Sequence, residues 1–141
     1  MKHTARAARA LRAAGLERVW AVRHPPLREP AAAEAARAHV VGSVAALPQP
    51  YLGAFTLALH AIPTCFRLVT GHRLADAPAR VLLTGAARLE RVPLVGTVVR
   101  ASSTLACFGG LDGQPAGAHR PDTATATHQD PGERTWTGAT R

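Results

Sequence analysis

Acidic residues are scarce in this chain, with nine Asp and Glu among 141 residues against seventeen Lys and Arg. Aromatic residues are scarcer: two Trp, one Tyr and three Phe. The strands of a sheet sandwich want aromatic and β-branched side chains, so this composition argues against one. No segment alternates apolar and polar residues in the manner of a strand, and no internal repeat is present. Cys65 and Cys107 stand far apart, which excludes a Cys-x-x-Cys redox motif, a zinc knuckle and an iron–sulfur run. In a reducing compartment such a pair is read as two small buried apolar residues.

The shortage extends to the groups that carry chemistry. The seven histidines are spread so that no two lie three or four residues apart, and no helix can present a two-histidine metal edge. Between residues 30 and 112 the acids are Glu34, Asp76, Glu90 and Asp112, and no two suggest joint acid and base work. Glu90, between Arg88 and Arg91, is read as part of a solvated ionic cluster. Ser43, Ser102 and Ser103 lack the bracketing glycines of a nucleophile elbow. The Gly109-Gly110-Leu111-Asp112-Gly113 stretch has no strand before it and no Gly-Lys-Ser/Thr after it, so it reads as a helix end and a turn. No catalytic, cofactor-binding or metal-ligating residue is assigned, and the chain is expected not to be an enzyme by itself.

The formal charge of +8 is unevenly placed. Lys2, Arg6, Arg9, Arg12, Arg18, Arg23 and Arg28 face the single acid Glu17 within residues 1–28, a net of +6. Residues 1–29 are accordingly expected to form a basic Arg/Ala-rich arm, with Arg6, Arg9 and Arg12 its candidate contacts to phosphates. Projected on one continuous helix, Leu16 and Trp20 fall on the same side as those arginines, which spoils a basic face. Sixteen Arg to one Lys, together with thirty Ala, point to a GC-rich and hence bacterial genome. No apolar stretch of signal-peptide length follows the basic start, so cytoplasmic residence is expected. Ala38 to Phe66 contains no Asp, Glu, Lys or Arg, but Pro48, Pro50 and Pro63 interrupt it. A buried core helix is the favoured reading there, with superficial docking on anionic lipid as an alternative.

Proline and glycine punctuate the rest. Pro30 is suited to a first helical position, and the Ala-rich run behind it should stop near Leu47. Pro50 opens a second helix, in which Leu52, Phe55, Leu59, Ile62, Phe66 and Val69 recur at steps of three and four residues. Pro63 should bend it, and Gly71 should end it. Asp76 is expected to cap a third helix carrying Leu82, Ala86 and Leu89 inward and Arg80, Thr84, Arg88 and Arg91 outward. A fourth carries Leu94, Val98, Ala101, Leu105 and Phe108 on one stripe, with Gly109-Gly110 as its stop. Residues 113–141, rich in Thr, Pro and Gly, hold one large apolar residue, Trp136, and are expected to be a disordered tail. The expectation is therefore an all-α, four-helix domain over residues 30–112 between a basic arm and that tail.

The stretch from Ala46 to Gly113 has a distinctive layout. A proline-opened apolar helix and a loop lead to a helix ending in Leu89-Glu90-Arg91, then Val92-Pro93-Leu94, Val99-Arg100-Ala101-Ser102 and Phe108-Gly109. It resembles the small helical module found beside, or fused ahead of, some bacterial glucose–methanol–choline flavin oxidoreductases. The chain has no flavin-binding domain and no dinucleotide glycine motif, so no active-site residue carries over. The resemblance implies an accessory subunit without cofactor that packs on and stabilises a larger catalytic flavoprotein. Apolar residues off the main stripe of the second helix, Leu57 and Leu68, with His60 and Arg67 beside them, are the candidate partner contacts. The alternative is a small membrane-peripheral or nucleic-acid-binding protein that works through Arg6, Arg9 and Arg12.

Overall fold

The computed structural model describes residues 2–112, with side-chain surroundings to residue 110. Within them the chain is all-helical: α1 (Lys2–Ala14), α2 (Leu16–Arg23), a 3-10 turn (Pro25–Arg28), α3 (Pro30–Ala45), α4 (Gln49–Thr70), α5 (Ala79–Leu89) and α6 (Val95–Asp112). The expected tail, 113–141, lies outside the described residues. Six α-helices replace the expected four, because residues 2–23 belong to the fold.

The expected arm fails on one residue, Gly15. Ala and Arg are strong helix formers, so Lys2–Ala14 winds into a helix. Its Ala7, Ala10, Leu11 and Ala14 are buried, mainly against α4. Gly15 then adopts φ +67, a left-handed conformation that glycine accepts without steric cost, and its N–H donates to the Leu11 carbonyl at 3.3 Å. The helix ends and the chain changes direction, so Leu16, Val19 and Trp20 of α2 reach the same core. Projection on a single helix places Leu16 and Trp20 among the arginines; with the break they point inward and Arg6, Arg9 and Arg12 stay exposed.

Proline sets the next boundaries as expected. Pro30 opens α3, and Pro48 precedes α4. The α4 helix runs unbroken through Pro63 and stops at Gly71, φ +73, whose N–H donates to the Arg67 carbonyl at 2.8 Å. Leu52, Leu59, Ile62 and Phe66 are fully buried, with Phe55 and Val69 packed at the margin. Asp76 does not cap α5. The helix begins after Pro78, whose extended backbone (φ −67, ψ 159) holds the N-cap position without a side-chain bond. Leu82, Ala86 and Leu89 face inward, while Arg80, Thr84, Arg88 and Arg91 are exposed.

The largest correction concerns α6. Its buried face is Val95, Val98, Val99, Ser102, Ser103 and Ala106, continuing through Gly109 and Gly110. Leu94 and Phe108, expected inside, are exposed. The two glycines do not end the helix, which continues to Asp112. They let α6 lie against α3, the most extensive helix pair among the described residues. A Cβ on Gly109 would run into the His39 Cβ and the Ala35 carbonyl oxygen; one on Gly110 would run into the Leu27 side chain. Small residues on α6 thus meet Ala32, Ala36 and Val40 on α3, and dispersion contacts across a close interface substitute for bulk.

Ion pairs tie α2 to α3 and to the end of α5. Arg37 of α3 grips Glu17 of α2 through Nε and Nη2 at 2.8 and 2.9 Å. That carboxylate holds the Arg37 guanidinium above the usual arginine range, partly opposed by burial. Glu90 pairs with Arg23 of α2 rather than with its sequence neighbours Arg88 and Arg91.

Candidate functional site

The folded chain leaves large apolar side chains in solvent. Tyr51, Leu57, Leu68, Leu94 and Phe108 are all more than half exposed, Leu57 at 68% and Leu68 at 80%. Isolated exposed leucines are ordinary, whereas a contiguous apolar surface marks a contact site. Here a groove joins two of them, Tyr51 and Leu94. Val44 and Leu47 at the end of α3, Tyr51 and Phe55 of α4, and Leu94 and Leu105 on the other side line an opening of about 460 Å³ with an almost wholly apolar wall.

The groove continues onto α4. Ala54 lines it and also begins a run of Leu57, Ala61 and Leu68, spaced by three, four and seven residues. That spacing keeps one helix face, opposite the buried stripe of Leu52, Leu59, Ile62 and Phe66. The α4 helix is thus apolar on two sides and covered on one. Among the described residues it is the helix long and apolar enough to cross a membrane by length and composition, and 33% of its most apolar window is buried.

Leu94 supplies a second observation. It sits at φ +63 between α5 and α6, the one residue other than glycine with positive φ among the described residues. The left-handed conformation costs an L-residue roughly 1–2 kcal/mol. Val95 N–H donates to the Pro93 carbonyl at 2.7 Å and Gly96 N–H to Val92 at 2.8 Å, which fixes the joint. The strained residue then spends its side chain on the groove wall, 53% exposed, where it adds little to the chain's own core. Leu94→Asn, which accepts this backbone more readily, is expected to raise stability by about 0.5–1 kcal/mol in denaturant melts. A loss of stability would mean that Leu94 packs more than it strains.

The residues singled out in the sequence fall as follows. Leu57, His60, Arg67 and Leu68 are all exposed on α4. Arg6, Arg9 and Arg12 line the outer face of α1. Cys65 and Cys107 are free, half-buried thiols, and burial pushes the Cys107 thiol up, which lowers its thiolate fraction at neutral pH. No group of three His, Cys, Asp or Glu is gathered for a metal among the described residues. The groove residues Tyr51, Leu94 and Leu105 were missed as a site. Their signal was present as apolar positions exceeding what one face of each helix can bury. Comparison with known proteins brings no match: no family model, no curated protein and no solved structure is similar to this chain.

Proposed function

We propose that this chain is a non-catalytic helical subunit that binds and stabilises a larger protein, a flavin-dependent oxidoreductase of the glucose–methanol–choline type, in the cytoplasm. The observation that carries the docking role is the apolar groove, together with Leu57 and Leu68 left exposed on the outer face of α4. The class of partner rests on the resemblance of residues 46–113, with no catalytic group assembled among the described residues. A second reading is favoured by a different observation. Lys2, Arg6, Arg9 and Arg12 share the outer face of α1, opposite the buried Ala7, Ala10, Leu11 and Ala14, and such a face suits a phosphate-bearing surface, lipid or nucleic acid.

Co-expression with a flavoprotein of that class from the same genome tests the first reading. The expected result is a complex of fixed stoichiometry that carries flavin colour through size-exclusion chromatography. The flavoprotein should also melt at higher temperature within it, as binding to the folded state requires. Separate elution of the two chains, with unchanged melting of the flavoprotein, defeats the reading.

A further inference from the structure

Two segments distant in sequence, residues 12–18 and 63–75, bring four arginines to one cleft. Arg12 comes from the last turn of α1, Arg18 from α2 beyond the Gly15 turn, Arg67 from the end of α4 and Arg73 from the α4–α5 connection. The hollow they border measures about 560 Å³, within the range of small-ligand sites, and Thr64 adds a hydroxyl to its wall. No carboxylate lines it. No ion pair joins any of the four to an acid among the described residues, although Arg23 and Arg37 do find acids nearby.

The cleft is built rather than incidental. Arg18 donates to the Leu74 carbonyl at 3.0 Å and to Ala77 at 3.3 Å, so the α4–α5 connection, Arg73 included, is strapped to the α1–α2 turn. Gathering guanidinium groups without a counter-charge is electrostatically unfavourable, and an anion in their midst reverses the sign of that interaction. Guanidinium forks match the paired oxygens of a phosphate better than those of any other common biological anion except a carboxylate, and a dianion answers several of them at once. Beyond Arg12 the surface continues into a second hollow edged by Arg9, so the positive field extends along α1.

We propose that this cleft binds a phosphate-bearing anion, with Arg12, Arg67 and Arg73 as the contacting donors and Arg18 holding the wall in place. The same chemistry is offered by a free phosphorylated small molecule and by a lipid headgroup. The cleft shares no residue with the apolar groove, although Thr64 and Arg67 place it beside the outer face of α4, and its binding needs no protein partner.

Titration calorimetry of the isolated full chain with pyrophosphate at low ionic strength should show saturable one-to-one binding that weakens as salt rises. In Arg67→Gln/Arg73→Gln the dissociation constant should rise at least about tenfold, the effect of losing charge-assisted hydrogen bonds. Arg80→Gln/Arg91→Gln removes the same charge from exposed positions outside the cleft and should change it less than about twofold. Circular dichroism confirms that each variant keeps its helices. Vesicles containing phosphatidic acid, compared with phosphatidylcholine alone, identify the source. Capture on the former that Arg67→Gln/Arg73→Gln abolishes supports the site with a headgroup as ligand, and pyrophosphate binding supports it with a free anion. Equal losses in both double variants overturn the proposal. So does binding to a DNA duplex with neither phosphate probe bound, and so does no binding at all.

Discussion

Replacing Leu57 and Leu68 together by Asp should leave the isolated chain folded and weaken its association with the partner by about two to four powers of ten. Both parts follow from where these side chains lie. At 68% and 80% exposed they contribute little to the chain's own core, so their loss costs little on folding. Covering each leucine at an interface contributes about 1.5–3 kcal/mol, and the pair therefore accounts for roughly 3–6 kcal/mol of association. The substituted carboxylates oppose docking further, because a charge covered without a partner must be stripped of water. Circular dichroism and a binding titration on the same preparation separate the two parts. A double variant that unfolds would make these leucines core residues, and one that binds as tightly as the parent would place the contact elsewhere.

The two leucines were legible in the sequence because α4 is so strongly periodic. Its stripe from Leu52 to Val69 occupies one face, and Leu57 and Leu68 could only lie off it. The same logic failed on α6, where two apolar stripes compete. Leu94, Leu105 and Phe108 outweigh Val95, Val99, Ser102 and Ala106 in bulk, so a reading by hydrophobicity turns the larger residues inward. The fold chooses the smaller face because α3 is itself lined with Ala32, Ala36 and Val40, and two small faces can approach closely. Leu94, exposed, and Leu105, half-buried, are left to the groove wall, and Phe108 is exposed outside it. That outcome depends on the identity of the packing partner, which local periodicity does not contain.

The first two helices were missed for a related reason. An arginine-rich stretch with alanines looks like compositional drift until its alanines are seen to recur on one side. Ala7, Ala10, Leu11 and Ala14 do so, and α4 supplies the surface they cover. Gly15 hid the rest of the pattern by breaking the phase between Leu11 and Leu16. The cleft of four arginines was illegible from sequence on any reading. Arg12 and Arg18 lie some fifty residues before Arg67 and Arg73, and the packing of α1 on α4 with the Arg18 hydrogen bonds to Leu74 and Ala77 brings the two segments together.

Gly109→Val is expected to lower the stability of the isolated chain by about 3 kcal/mol, a fall of roughly 10 °C in melting temperature. If Gly109 were a helix stop, a larger residue there would lengthen or fray a terminus at small cost. Within α6 its role differs. The missing side chain lets the backbone of α3 come close, and any Cβ would meet the His39 Cβ and the Ala35 carbonyl oxygen, neither of them the free end of a flexible side chain. Helix propensity acts in the opposite direction, since glycine in a helix interior is worse than alanine by about 0.5–1 kcal/mol. Valine recovers only part of that while adding two methyl groups to the clash, so overpacking wins. Gly42 provides the contrast. It lies in α3, exposed, with nothing within 4 Å of a Cβ, so Gly42→Ala should stabilise by about 0.5–1 kcal/mol through propensity and the reduced freedom of the unfolded chain. Opposite signs at two helix-interior glycines are the mark of a close α3–α6 contact. Thermal melts of the two variants beside the parent read both directly, and a Gly109→Val chain melting with the parent would mean that the two helices do not approach.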